Sequence, residues 1–338
     1  MKKHRNLPFF VPFAGCHFRC KFCSQEKITG CEGTGEAVSE ELASFDSMML
    51  QAGDLSKTEN QIAFFGGSFT GIPKARMIAL LERAQTYIDR GYASSIRIST
   101  RPDLIDDEVL ELLVRYRVTD VELGVQSMDD EVLRLSGRGH TAMDSRVAAE
   151  RLQKHGVRFT GQMMLGLPGS DERKELATAH EICSMGAVSA RIYPTVVFEG
   201  TELYDMTVRG EYSPLDDLAA AKRTVPCLEA FISSGVRVLK IGLQSSKELS
   251  TAPFGPRDGS LAELAYGFLY AKRIIEQASG KAAGKTLNVF LPGGEISKFT
   301  GHKGVVLQEL KQALLPACIN LREDGTLSVP NVKIQIEG

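Results

Sequence analysis

Three cysteines crowd into the stretch "GCHFRCKFCSQ", residues 15–25. Cys16, Cys20 and Cys23 are spaced C-x3-C-x2-C. Thiolates at that density suit soft metals and iron–sulfur clusters. A structural zinc site takes four ligands, commonly as two close pairs. Cys31 or His17 could supply a fourth ligand, but the chain has no second C-x2-C. A [4Fe–4S] cluster on three thiolates instead leaves one iron open to a substrate or cofactor. The remaining cysteines, Cys31, Cys183, Cys227 and Cys318, are scattered and read as small packed side chains.

The chain that must position these thiols has 338 residues and a formal net charge of −2. That length suits one large domain, or a large one and a small one. The near-neutral charge provides no global electrostatic footprint for nucleic acid and leaves room only for a local basic patch. No apolar run approaches the roughly 20 residues that span a bilayer. The start, "MKKHRNLPFFVPFAG", is basic and then apolar, as a signal peptide would be. Its apolar run is short, is broken by Pro8 and Pro12, and leads straight into the cysteines, so it reads as a first strand. Seven cysteines without a secretory signal point to a reducing, cytoplasmic setting, and to metal or catalysis rather than disulfides.

Short β-rich runs alternate with helical spacing along most of the chain. Strands are expected at 9–13, 61–66, 95–100, 120–126, 158–165, 190–198 and 236–243. Helical segments lie between them, and Asp106 has the placing of a helix start signal. Near-continuous apolar strands alternating with helices imply a parallel sheet covered by helices. A full or partial (β/α) barrel and an open doubly wound sheet both satisfy the pattern. The polar motifs "GCHFRC", "GGSFTG", "TRPD", "GVQSM" and "GLPG" each follow a strand, where such folds carry their chemistry. After about residue 245 the turn-rich "SSKELSTAPFGPRDGS" marks a change of organisation, and the tail reads as strand, helix, loop, helix and one or two strands.

C-x3-C-x2-C directly after a first strand, with the aromatic Phe22 in "CKFC", resembles the radical S-adenosylmethionine (radical SAM) enzymes. The resemblance covers roughly residues 7–245. It implies an α/β fold: a partial (β/α)6 barrel over 1–245, with a small α+β extension over 246–338. It also implies a [4Fe–4S] cluster on Cys16, Cys20 and Cys23, with the amino and carboxylate groups of SAM on the open iron. An electron from an external or protein donor then splits SAM into methionine and a 5′-deoxyadenosyl radical. "FFGGSFTG" resembles the family's glycine motif, so Gly66, Gly67 and Ser68 would approach the methionyl amino group. Ser99 stands where relatives often hold ribose with a glutamate, and Arg101 would face substrate. In "VELGVQSMDDEVLRLSGRGHT", Gln126 and Arg138 match SAM contacts, the arginine by its planar fork. Gln162 in "GQMMLGLPG" replaces an aspartate that contacts ribose in some relatives. Met163, Met164 and Leu165 read as barrel core and adenine wall. Tyr193 and Pro194 would line the open end, and Lys240 and Gln244 are candidate substrate contacts.

Within this family the motifs look most like the Elongator catalytic-subunit group, which modifies wobble uridines in tRNA. The chain is too short for that group's acetyltransferase domain, so acetyl transfer is not implied. "FLPGGEISKFTGHKGVVLQELKQAL" resembles the core of a KH domain, whose G-x-x-G loop clamps nucleic-acid backbone. It would place an RNA contact at Gly301, His302, Lys303 and Gly304, with Lys298 and Lys311 adding charge; a plain interhelical turn is the alternative. The expected function is therefore radical chemistry on tRNA or another RNA, with no membrane partner. A small-molecule or tetrapyrrole substrate, as in oxygen-independent coproporphyrinogen oxidase, is the alternative, and a non-catalytic zinc- or RNA-binding protein the remote one. Asp103, Glu122, Asp129 and Asp130 form no recognisable catalytic pair, and Asp129 and Asp130 read as a helix start.

Overall fold

Seven strands run in chain order through one parallel sheet: β1 (Lys3–Val11), β2 (Thr58–Gly66), β3 (Ser95–Thr100), β4 (Val118–Gln126), β5 (Arg158–Leu165), β6 (Ser189–Pro194) and β7 (Arg237–Ile241). This computed structural model describes residues 3–11, 15–16, 19–24, 38–52 and 58–337; His17 and Cys31, the candidates for a fourth ligand, fall outside them. Among the described residues β1 and β7 do not pair, so the sheet is a curled half-barrel rather than a closed one. A strand forms at each of the seven expected places, one more than the six of a (β/α)6 barrel.

The helices that connect the strands are α1 (Val38–Gln51), α2 (Lys74–Asp89), α3 (Asp107–Arg115), α4 (Asp130–Leu135), α5 (Ala142–Lys154), α6 (Glu172–Ser184), α7 (Glu202–Val208) and α8 (Asp217–Ser233). Their starts are written locally. The Asp106 carboxylate accepts from the Val109 amide at the head of α3, and Asp129 does the same for Val132 at the head of α4. Thr141 and Asp144 close a reciprocal capping box on α5.

Side chains alternate across a strand, and here the two faces differ in kind. Leu7, Phe9, Ile62, Phe64, Ile96, Ile98, Val121, Leu123, Phe159, Met163 and Ile192 are buried together under the helices. Many of the intervening residues are polar. Gln61, Arg97, Asp120, Glu122, Thr160 and Ser189 are all buried on the concave side. The expectation of near-continuous apolar strands is therefore corrected: only the convex face is apolar, because helices cover that side alone. Met163 and Leu165 belong to the helix-covered core, while Met164 lines the concave cavity. β6 also ends at Pro194, short of the expected 198.

Hydrogen bonds fill the concave floor. Arg97 donates from Nε to Gln61 Oε1 (2.9 Å) and from Nη1 to Thr160 Oγ1 (3.1 Å) and Glu122 Oε1 (3.3 Å). Gln61 donates to Asp120 (2.7 Å), and Arg158 reaches the same carboxylate (2.9 Å). Burial opposes ionisation of Asp120, but the hydroxyl of Thr119, the amide of Gln61 and the charge of Arg97 outweigh it and hold its pKa below the ordinary carboxylate value. Such a network adds little net stability, yet breaking one member strands a buried charge at a cost of about 3–5 kcal/mol.

Beyond β7, helix α9 (Leu261–Ala278) packs against α8 and carries a second sheet in the order β10–β8–β9: β8 (Thr286–Leu291), β9 (Cys318–Glu323) and β10 (Lys333–Glu337). β8 runs parallel to β9 and antiparallel to β10. Helix α10 (Val305–Leu314) also packs on α9, and all these parts share one hydrophobic core with the half-barrel. No helix among the described residues is long and apolar enough to cross a membrane.

Gly161 marks a close helix–sheet contact. A Cβ there would stand 2.4 Å from Ile182 Cγ2 on α6, whose branched side chain cannot swing clear. Gly161→Ala is expected to destabilise the fold by about 1–3 kcal/mol through overpacking; an unchanged urea midpoint would refute this contact.

Candidate active site

A cavity of about 1320 Å³ opens at the C-terminal ends of the β1–β7 strands. The cysteine triad and the residues expected to contact SAM all line it: Cys16, Cys20, Cys23, Phe22, Gly66, Gly67, Ser68, Ser99, Gln126, Arg138 and Gln162. Arg101, Tyr193, Pro194, Lys240 and Gln244 line it too. The Gly301–Gly304 loop does not.

The cysteine loop is seated from several sides. Gly15 has φ +75°, and a Cβ on it would lie 2.1 Å from the Ser68 carbonyl oxygen. The chain leaving β1 thus rests directly on the turn that follows β2, and Cys16 Sγ sits 3.3 Å from Ser68 Oγ. Cys23 N donates to Cys20 O (3.0 Å), forming a tight turn. Lys21 N donates to Ser136 O (3.0 Å), and Leu203 N donates to Lys21 O (2.9 Å), tying the loop to α4 and α7. The Lys21 ammonium pairs with Glu202 (2.8 Å). Phe22 is buried with Val132, Leu167, Val197 and Leu203, so the loop has its own apolar anchor.

Opposite the thiols lies a second group. Arg138 is 6% exposed and donates from Nη1 to Cys20 Sγ (3.2 Å) and from Nη2 to Gly124 O (2.7 Å), while its Nε has no partner among the described residues. Gln126 adopts φ +64°, unusual for a residue with a side chain, and its buried Oε1 is also without a partner among the described residues. His140 is buried beside them. Desolvation, then the positive charges of Arg138 and Arg101, pushes its pKa down to about 3, so it is neutral at ordinary pH. Arg101 closes a fork on Asp103 (2.9 and 3.0 Å).

Sequence reasoning passed over the residue at the centre of the far wall. Arg191 donates to Glu122 Oε1 from Nε (3.1 Å) and Nη2 (2.7 Å), and to the Tyr193 hydroxyl from Nη1 (3.1 Å). Its guanidinium lies 5.7 Å from the Phe65 ring centroid. The available signal was a charge in mid-strand at alternate positions, as at Arg97, Glu122 and Arg191, which an apolar reading of the strands hides.

Elsewhere, Lys298 is buried and paired with Glu295 (2.6 Å) and Glu263 (3.4 Å), and His302 is 3.0 Å from Asp258. Those two side chains are therefore engaged within the protein, against the expectation that Lys298 adds free charge. Lys303 and Lys311 remain exposed.

Among the described residues, no three His, Cys, Asp or Glu side chains gather round one metal-ion position. A single zinc ion needs thiolate sulfurs about 2.3 Å from one point, whereas a cuboidal cluster is held at separate corners by separate thiolates. Three thiols facing one cavity, a cation against one sulfur, and an unpartnered buried donor and acceptor suit a cluster with a polar ligand beside it.

Comparison with known proteins agrees with that geometry. Residues 10–182 match the model of the radical SAM superfamily, and residues 188–265 match that of a radical SAM C-terminal domain. The chain is 32% identical over 175 residues to the tRNA uridine(34) acetyltransferase of Methanocaldococcus jannaschii, covering 51% of this chain and 32% of the relative. It is 30% identical over 173 residues to Elongator complex protein 3 of Schizosaccharomyces pombe, covering 50% and 31%. The chain thus spans about a third of the length of these two relatives. The solved archaeal Methanocaldococcus infernus Elp3 superposes with a TM-score of 0.62 at 22% identity, covering 81% of this chain and 64% of that one, which shows a shared fold.

The left-handed backbone at Gln126 stores strain of about 1–2 kcal/mol. Gln126→Gly is expected to unfold at the same or a higher urea concentration than the parent, and Gln126→Val at a lower one. The reverse order would show that the position is unstrained.

Proposed function

This chain belongs to the radical SAM superfamily, and we propose that it is an enzyme that holds a [4Fe–4S] cluster and SAM in the half-barrel cavity and acts on tRNA or another RNA. The observation that carries the cofactor assignment is the donor set: Cys16, Cys20 and Cys23 line one cavity beside polar groups that lack partners among the described residues. Held by Cys16, Cys20 and Cys23, a reduced cluster would supply the electron for reductive cleavage of SAM.

The chain's own residues bind, orient and exclude water. Arg138 would hydrogen-bond the cluster-ligated Cys20 sulfur, the kind of contact that tunes a cluster's potential. Its unpartnered Nε is a donor for a carboxylate, and the Gln126 Oε1 is an acceptor for an ammonium. Gly66 packs so tightly on β1 that a Cβ on it would lie 2.8 Å from Val11 O, and Gly66 and Gly67 present backbone without side chains to the cavity. Ser68 stands beside Cys16, and Ser99 and Gln162 present side-chain oxygens for ribose hydroxyls. His140, being neutral, adds no charge that would compete with Arg138. The apolar cluster behind Phe22 packs against Cys20 and Cys23 and keeps water from that side of the cysteine loop. An external or protein electron donor is required.

The RNA substrate rests on the relatives that act on tRNA uridine and on Lys303, exposed in a Gly-x-x-Gly turn. Reconstituted without oxygen, the protein is expected to bind about four irons per chain and to release 5′-deoxyadenosine from SAM under strong reductant. Cys20→Ala is expected to abolish this. Cluster-loaded protein that binds SAM but never cleaves it would sink the radical assignment. Mass spectrometry of nucleosides from cells with and without the gene tests the RNA assignment, which fails if the two profiles are identical.

A further inference from the structure

The β6–β7 edge of the cavity carries groups that cofactor binding leaves unused. Most cations lining the cavity are already engaged: Lys21 by Glu202, Arg101 by Asp103, Arg138 by Cys20 and Gly124, and Arg191 by Glu122. Lys240 is different. It lines the cavity, is half-buried, and makes no ion pair among the described residues. Strand register sets it opposite Arg191. The exposed Arg19 is the other unpaired cation among the described lining residues, but it sits on the cysteine loop.

Tyr193 is the second unused group. A guanidinium can only donate, so in the 3.1 Å bond from Arg191 the tyrosine oxygen must accept. Its own hydrogen is left to donate, and no acceptor for it stands among the described residues. Burial raises the Tyr193 pKa, which keeps that hydrogen in place at neutral pH. Arg191 cannot turn away, because Glu122 holds two of its nitrogens. Arg191 over Phe65 supplies a flat wall next to the donor.

A ligand matching this edge needs an anion for Lys240, an acceptor oxygen for Tyr193 and a planar group for the wall. A nucleotide within RNA has all three, and unstacked bases are commonly read by stacking together with edge hydrogen bonds. The structure assigns this edge to one unstacked nucleotide of the second substrate, with Lys240 taking a phosphate and Tyr193 donating to a base oxygen; the assignment rests on the RNA function proposed above.

Titration of the cluster-loaded protein with unfractionated tRNA at several salt concentrations tests it. Lys240→Ala is expected to weaken binding and to reduce the slope of log affinity against log salt by about 1. Lys240→Arg should retain the slope, and its failure to do so would overturn the charge role. Tyr193→Phe should weaken binding about three- to tenfold at an unchanged slope. Glu248→Gln, which removes a carboxylate from the same cavity lining, should tighten binding. If the parent protein binds tRNA and both Lys240→Ala and Tyr193→Phe match it in affinity and slope, the subsite is wrong and the RNA function stands. If the parent cleaves SAM but does not bind tRNA, the RNA function falls and the subsite with it.

Discussion

Two segments of backbone touch where no side chain could fit. Gly15 lies so close to Ser68 that a Cβ on it would overlap the Ser68 carbonyl, and a Cβ on Gly71 would meet the Gly15 oxygen at 2.1 Å. This contact seats the cysteine loop on the glycine-rich turn after β2. It brings Cys16 against Ser68, and the loop's later bonds, to Ser136 and from Leu203, carry Cys20 and Cys23 toward Arg138. A larger residue at either glycine would lift the loop away and separate the thiols from the groups facing them.

The half-barrel serves that arrangement by having two unlike faces. Its convex side is a conventional apolar core beneath helices. Its concave side is charged, and each buried charge is held by others: Arg97 by Asp120 and Glu122, Arg191 by Glu122. Replacing these by apolar residues of similar volume could cost little stability. What the network supplies is position. Arg191 holds the Tyr193 hydroxyl and covers Phe65, so the orientation of the far wall follows from a carboxylate on the neighbouring strand. Electrostatic pre-organisation of this kind is worth most in a site from which water is excluded.

The same pairing explains the contrast between a near-neutral chain and a site open to anions. Most charge in the cavity is cancelled locally; among the described lining residues Arg19 and Lys240 make no ion pair, and Arg138 keeps Nε without a partner. The carboxy-terminal sheet joins the half-barrel through the packing of α9 on α8, and in its Gly-x-x-Gly turn His302 and the nearby Lys298 are spent on internal carboxylates. Lys303 is left facing solvent.

Spacing alone carried the thiol triad, because C-x3-C-x2-C between a strand and a helical run is local information. The succession of strands and helices along the chain was legible for the same reason: each strand–helix unit announces itself by periodicity, caps such as Asp106 and turn residues, while the order of strands in the sheet was not. The placing of Gly66, Ser99, Gln126, Arg138 and Gln162 round one cavity follows once all the strands point the same way. Tertiary structure alone decided the rest. Curling of the sheet, which no single strand encodes, turned one face into a polar interior and made sense of Arg97, Glu122 and Arg191. It also revealed that Arg138 touches Cys20 across 118 positions of sequence, and that Lys298 and His302 are internally paired. Those outcomes depend on distances between segments far apart in the chain, and only the packed fold sets such distances.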